Sequence, residues 1–426
     1  MNPRLTLFFV AIAAACPAYA SQPNIIPATM TAIVASASVP NAGNFSTVTV
    51  IRDHPLPKLS TGEILIKVEA SSVNPVDWKI LEANAGLGLG FPHTLGFDVA
   101  GTVAALGPGA TGRLAVGDRV WADLGKNWLF RGPGELGAWA EYAAADETQV
   151  GLMPANTSFA DAGALPLVSL TDLQALRKTG APWKAAAGGA FTVVITSGSG
   201  GTGVSAIQMA VAYGATRVVT ATTPDNFALL KSLGATDVVD YRTSSVFDVV
   251  ANNSVQVVYD NYGAPGTADA AMPSLDPNGG VFIFLPGKGG ALSKHPKQGV
   301  KQINFGLCDS SHYADMDALK VLVEGGHLRA HIQQSFALED AVEAMRTSFG
   351  GKVVGKLSID MSSTRHARKT ENKNITTTRT VCTPRNDGEF AFGGCLPPWT
   401  PTYNMSRSTI IMYCNYSGPS KAPRNA

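Results

Sequence analysis

The stretch Phe191-Thr192-Val193-Val194-Ile195-Thr196-Ser197-Gly198-Ser199-Gly200-Gly201-Thr202-Gly203-Val204 decides the fold. Its first six residues are apolar or β-branched without alternation, the pattern of a strand buried on both faces. A full G-x-G-x-x-G follows, from Gly198 to Gly203. Val204, Ile207 and Val211 then recur at helical intervals. Strand, glycine turn and helix in that order form a dinucleotide-binding fingerprint. The first glycine (Gly198) makes the tight turn, the second (Gly200) admits a pyrophosphate to the backbone, and the third (Gly203) lets helix and strand pack closely. Ser199, Gly201 and Thr202 complete the loop, whose N–H groups at the helix amino end face the phosphates.

Working outward, short apolar runs recur at Val218–Ala221, Val238–Val239, Val255–Tyr259 and Val281–Leu285. Their spacing leaves room for crossover helices, so the segment predicts a doubly wound parallel sheet of the Rossmann type. The second strand ends at Ala221-Thr222-Thr223. An acidic side chain there would hold the ribose 2′-hydroxyl of NAD. Thr222 and Thr223 do not repel a 2′-phosphate and offer hydroxyl donors to it. NADPH is therefore the expected cofactor, with NADH left open by Asp225 nearby and by the lack of an evident basic clamp.

The chain has 426 residues, 45% apolar and 15% charged, with a net charge of +1. That balance excludes a disordered acidic or basic segment and a coiled coil, and gives no sign of a nucleic-acid partner. No apolar run reaches the roughly 20 residues of a membrane helix. Arg4, the apolar Leu5–Ala15 and Ala18-Tyr19-Ala20 together read as an export signal over residues 1–20, which predicts a secreted protein. A cytoplasmic protein is the alternative if that segment is not a working signal. From residue 362 to 426 there are nine Lys and Arg against three Asp and Glu, so the near-neutral total averages a basic tail and an acidic body. The tail holds Cys382, Cys395, Cys414 and three of the six N-x-S/T sequons, and it reads as irregular.

Further segments, in order, resemble the medium-chain dehydrogenase/reductase superfamily and its zinc-independent quinone oxidoreductase and enoyl reductase branch. They are Val73-Asn74-Pro75-Val76-Asp77-Trp78-Lys79, Leu95–Val103, Val116–Val120, Ala138–Tyr142, Ala164–Leu167 with Thr171, the glycine loop, and Gly355-Lys356-Leu357. The resemblance implies a GroES-like, mainly β catalytic domain over 29–155 and a nucleotide domain over 156–300. The chain then returns to the catalytic domain over 301–361, and a cleft lies between the two domains. It implies catalytic roles for Asn74, Lys79 and Thr171, and cofactor contacts for Tyr241 and Lys356. Some relatives carry a 2′-phosphate-binding lysine where this chain has Asn226.

Zinc members of the superfamily place a cysteine and a histidine where this chain has Asn74 and Phe97. No cysteine lies between Cys16 and Cys308, so no zinc is expected. Without a Lewis acid, an activated alkene or a quinone is an easier hydride acceptor than an isolated ketone, because the charge spreads onto a conjugated oxygen. The expected activity is NADPH-dependent reduction of a quinone or an α,β-unsaturated carbonyl. A homodimer is an open option, and a secreted protein that keeps the fold but not the chemistry is the alternative.

Overall fold

The computed structural model describes residues 26–361 apart from 40, 42, 83–89, 126–136 and 185–189. Residues 1–20, read above as an export signal, and the basic tail from residue 362 lie outside the described residues. The chain divides into two units, Met1–Asn372 and Lys373–Ala426, and the second lies wholly outside them.

The amino-terminal part of the first unit is mostly β. Its elements are β1 (Thr29–Ala35), β2 (Val48–Pro55), β3 (Glu63–Val73), α1 (Pro75–Lys79), β4 (His93–Thr94), β5 (Asp98–Leu106), β6 (Arg119–Asp123), β7 (Tyr142–Asp146) and β8 (Gly151–Leu152). β1 pairs with β2 and β4. β3 anchors a larger sheet, with β5 along one edge and β7 along the first half of the other. Trp121 and Trp139 are fully buried in this part of the chain.

The middle of the chain supplies α2 (Phe159–Gly163), α3 (Pro166–Lys178), β9 (Thr192–Ile195), α4 (Gly201–Ala212), β10 (Arg217–Thr222), α5 (Phe227–Ser232) and β11 (Asp237–Asp240). It continues with β12 (Val257–Asp260), α6 (Thr267–Ala271), β13 (Val281–Phe284) and β14 (Lys301–Asn304). The sheet order is β11-β10-β9-β12-β13-β14, parallel throughout. Strand order reverses between β9 and β12, the switch point at which such sheets bind ligands. Unalternating apolar strands are explained by cover on both faces. Val193 and Ile195 join one core cluster, while Val194, between them, joins another. The sheet runs past residue 300, since its sixth strand begins at Lys301.

On α4, Val204 and Ile207 are buried as the helical spacing predicts, but Val211 is 45% exposed. It covers Gly234, where an added Cβ would stand 2.6 Å from its Cγ2. The chain then forms α7 (Tyr313–Glu324), β15 (Ile332–Ala337), α8 (Ala341–Phe349) and β16 (Lys356–Asp360). β16 pairs antiparallel with Ala70–Val73 of β3, on the edge that β7 leaves free. The end of the described chain is thereby sewn into the first sheet. The result is an α/β fold with a Rossmann doubly wound sheet and a mainly β, GroES-like partner.

Candidate active site

The glycine loop leaves β9 at Ile195 and enters α4 at Gly201, with Gly200 as its amino cap. Packing explains two of its glycines. A Cβ on Gly203 would lie 1.9 Å from the Ser197 carbonyl oxygen, and one on Gly198 would lie 2.4 Å from Thr220 Oγ1. Gly200 differs, because a Cβ there would meet nothing closer than Ser197 Oγ at 3.9 Å. Its backbone is open to a ligand, and the cap has no side-chain partner for the helix N–H groups. The cradle fits a dinucleotide pyrophosphate.

Asn261, just past β12, fixes this loop across the switch point. Its Oδ1 accepts from Ser197 N–H at 2.9 Å, and its Nδ2 donates to Ser197 O at 2.8 Å and to Thr202 Oγ1 at 3.1 Å. Nothing in the sequence marked it, since its partners lie some 60 residues away. The Gly355 amide donates to Ser199 O at 2.7 Å. Gly355 has φ +73°, a conformation that suits glycine, and a Cβ there would strike His331 O at 2.1 Å. This contact ties the loop to the start of β16.

Just past the end of β10, Asn226 Nδ2 donates to Thr222 Oγ1 at 3.3 Å and to Thr223 Oγ1 at 3.2 Å. Both hydroxyl oxygens therefore act as acceptors, and each keeps a proton of its own to donate; Thr222 is buried and Thr223 partly exposed. Tyr241 is 63% exposed just beyond β11, and its amide donates to Thr222 O at 3.4 Å. Arg242 beside it is held by the Asp240 carboxylate, with bonds of 2.6 to 3.1 Å.

On the other side, a buried polar cluster gathers at Asp98, the first residue of β5. Its Oδ2 accepts from Ser72 Oγ (2.5 Å), Asn74 Nδ2 (2.7 Å) and Lys356 Nζ (3.2 Å), and its Oδ1 accepts from Leu167 N–H (2.7 Å). Lys356 Nζ also donates to Asn74 Oδ1. Both ends of the Asn74 amide are thus committed, which fixes its orientation. Asp98 and Asn74 are fully buried and Lys356 nearly so. The sequence named Asn74 and Lys356 but not Asp98. An acidic residue inside Gly96-Phe97-Asp98-Val99 carries no period that separates a buried partner from a surface charge.

Asn74 caps α1, and its backbone N–H donates to Asp77 Oδ2 at 2.6 Å, so Asp77 orders the turn. Burial pushes the Asp77 carboxyl up to about 8, with Asp98 adding to the effect and the Asn74 backbone N–H opposing it. Lys79 stands apart from the cluster. It is exposed, 5.7 Å from the Trp78 ring centre, and partial desolvation lowers its ammonium from the ordinary value, with Lys288 adding repulsion. Thr171, on α3, is buried. Asp123 ends β6 directly across from Asp98.

Zinc does not fit the donors at the two motif positions. Asn74 gives its oxygen to the Lys356 ammonium, and the Phe97 ring, which offers no donor, packs in the β-domain core. Among the described residues no three His, Cys, Asp or Glu side chains are placed to share a metal ion.

Residues 60–155 match the family described as alcohol dehydrogenase GroES-like domain, and residues 233–358 the family described as zinc-binding dehydrogenase. The chain is 31% identical over 311 residues to a quinone-oxidoreductase homolog, chloroplastic, of Spinacia oleracea, covering 72% of this chain and 92% of that one. It is 33% identical over 234 residues to an NADPH-dependent alkenal/one oxidoreductase, chloroplastic, of Arabidopsis thaliana, covering 54% and 57%. Among solved structures, the quinone oxidoreductase from Coxiella burnetii superposes with a TM-score of 0.64 at 26% identity, covering 78% of this chain and 99% of that one.

Proposed function

Because the chain belongs to the medium-chain dehydrogenase/reductase superfamily, in its quinone oxidoreductase-like branch, we propose that it uses NADPH to reduce a quinone or the activated double bond of an α,β-unsaturated carbonyl. The observation that carries this reading is the junction at Gly355. There the glycine loop and the buried Asn74–Asp98–Lys356 cluster meet within two residues of one strand. When bound, the nicotinamide supplies the hydride.

The chain's own residues supply placement and charge. Gly198, Ser199, Gly200, Gly201, Thr202 and Gly203 hold the pyrophosphate. Thr222 and Thr223 offer hydroxyl protons to a ribose 2′-phosphate, and Tyr241 packs beside them. Thr171 and Lys79 donate to the oxygen on which negative charge develops, a charge that preorganised donors in a dry site stabilise. Asn74 is held rigid for the acceptor, and Lys356 places a buried positive charge behind it. Support for quinones and enones also comes from the names of the relatives, and support for NADPH from the Arabidopsis protein's name.

Oxidation of NADPH at 340 nm by the purified protein, with 1,4-benzoquinone and 2-cyclohexenone as acceptors, tests the reading. Reduction of either with NADPH is the expected result, and inertness toward both excludes it. We also read residues 1–20 as a targeting segment, with export favoured by Ala18-Tyr19-Ala20. A mature protein that begins at Ser21 supports this, and one that retains Met1 excludes it.

A further inference from the structure

A phosphate monoester such as a ribose 2′-phosphate carries a charge of about −1.5 to −2 at pH 7. Thr222, Thr223 and Asn226 offer it neutral groups only, and Asp225 in the same turn is acidic and exposed. A cation is needed there, and the neighbouring strand brings one. β11 pairs in parallel with β10 so that Asp240 stands opposite Thr222, and the Tyr241 N–H donates to Thr222 O at 3.4 Å. Arg242 therefore leaves β11 at the same carboxyl edge of the sheet at which Thr222 ends β10, the edge where such sheets bind ligands. The other cations nearby stand elsewhere. Arg217 begins β10 at the opposite edge and is spent on Asp237, at 2.9 and 3.2 Å, and on Val249 O at 2.8 Å, and Lys231 acts on the same Asp237.

Arg242 is held as a fork. Its Nε donates to Asp240 Oδ1 at 2.8 Å and Oδ2 at 3.1 Å, its Nη2 donates to Oδ2 at 2.6 Å, and its backbone N–H closes on Oδ1 at 3.1 Å. The Asp240 carbonyl accepts in turn from the Thr243 and Ser244 N–H groups, both at 3.0 Å. The carboxylate is matched and largely covered, with the Asp240 side chain 15% exposed against 56% for Arg242, so it does not repel a phosphate as an open carboxylate does. A guanidinium has more N–H donors than one carboxylate engages. Both on Nη1 and the second on Nη2 have no acceptor among the described residues. The bonds to Asp240 raise the guanidinium above its ordinary value, and Asp225 adds to the effect from the turn after β10. Arg242 is thus within electrostatic reach of that turn.

We propose that Arg242, positioned by Asp240, is the cationic ligand of the cofactor's 2′-phosphate and sets the preference for NADPH over NADH. This rests on the reading of the chain as an NADPH-dependent reductase. The phosphate oxygens accept from the uncommitted edge of the guanidinium, whose planar pair of donors suits two-point recognition of phosphate. Thr223, partly exposed at the end of β10, donates its hydroxyl proton to the same group. The guanidinium also offsets the repulsion of Asp225, the one reason in the sequence to expect NADH. The lysine that some relatives carry at Asn226 is thereby replaced from the adjacent strand, sixteen positions later in the chain. NADH, with a neutral 2′-hydroxyl, gains nothing from this charge.

The test titrates the purified full chain with NADPH, NADH, 2′,5′-ADP and 5′-AMP by isothermal calorimetry, so that binding is read without turnover. Arg242→Gln should weaken NADPH and 2′,5′-ADP about tenfold, the low end for a charge-assisted bond to phosphate, and leave NADH and 5′-AMP unchanged. Arg242→Lys, a point charge without the fork, should recover part of the loss. NADPH affinity should fall with added salt more steeply in the wild type than in Arg242→Gln. Exposed ion pairs contribute little to stability, so melts without ligand should not move, which separates lost binding from lost folding. Wild-type NADPH affinity in Arg242→Gln overturns the assignment. A loss shared equally by NADPH and NADH overturns it as well, because the effect then lies away from the 2′-phosphate. A wild type that binds NADPH no tighter than NADH removes the underlying cofactor reading, and that outcome is distinct from a wild type that prefers NADPH and a variant that keeps the preference.

Discussion

Replacing Gly200 with valine should separate ligand binding from folding. At φ −72° and ψ 170° the position is extended backbone that β-branched residues adopt readily, and the nearest atom to an added Cβ is 3.9 Å away. Folding should change little, since a stiffer unfolded chain, worth about 0.4–1 kcal/mol, offsets much of valine's poorer capping of α4. The side chain would instead occupy the space open to a pyrophosphate. Losing two charge-assisted N–H bonds to phosphate, at about 1.5–3 kcal/mol each, sets the loss at about 3–6 kcal/mol. At 1.4 kcal/mol per decade this is about 10² to 10⁴ in Kd. Fluorescence titration with NADPH and thermal melts without ligand read the two effects separately. Gly203→Ala is the contrast, since its Cβ would overlap Ser197 O at 1.9 Å and should lower the melt itself. Nanomolar-to-micromolar NADPH binding retained by Gly200→Val would refute the placement of the pyrophosphate.

Lys356→Met strands the Asp98 charge and should destabilise by about 3–5 kcal/mol, while pairing it with Asp98→Asn should recover part of that in urea melts. Additive single losses would show that the pair does not interact. The Asp77 carboxyl is raised to about 8 from an unfolded value of 3.8. The folded state therefore binds the extra proton, and this stability is complete below pH 4 and lost as pH rises through 8. Asp77→Asn should flatten that decline in melts between pH 5 and 9, and an unaltered slope would contradict the burial assigned to this carboxyl. Asn226→Lys places a charge beside the Thr222 and Thr223 hydroxyls and should tighten NADPH about tenfold, by roughly 1.4 kcal/mol, with little change for NADH. Equal effects on both cofactors would move the 2′-phosphate elsewhere.

Local patterns carried most of the fold. The unalternating strand and glycine run at Phe191–Gly203 is a short-range signal, and it placed β9, the loop and α4 within a residue or two. Asn74, Thr171 and Lys356 were nameable because their motifs resemble known ones, and the structure brings Asn74 and Lys356 into direct contact. Lys79 does not join them. Asp98, Asp123 and Asn261 went unseen because each gains its meaning from partners 24 to 258 residues away. A single Asp or Asn looks the same in sequence whether it meets water or a buried ammonium. Val211 failed for the opposite reason, since a helical period marks a face but not where neighbouring elements stop covering it.

The most direct measurement is a steady-state assay of the purified full chain with NADPH and NADH against quinones and enones. Reduction of at least one acceptor with NADPH, and a lower rate with NADH, is the predicted result. Cofactor binding without oxidation across the whole panel would contradict a reductase and leave a protein that keeps the fold without the chemistry.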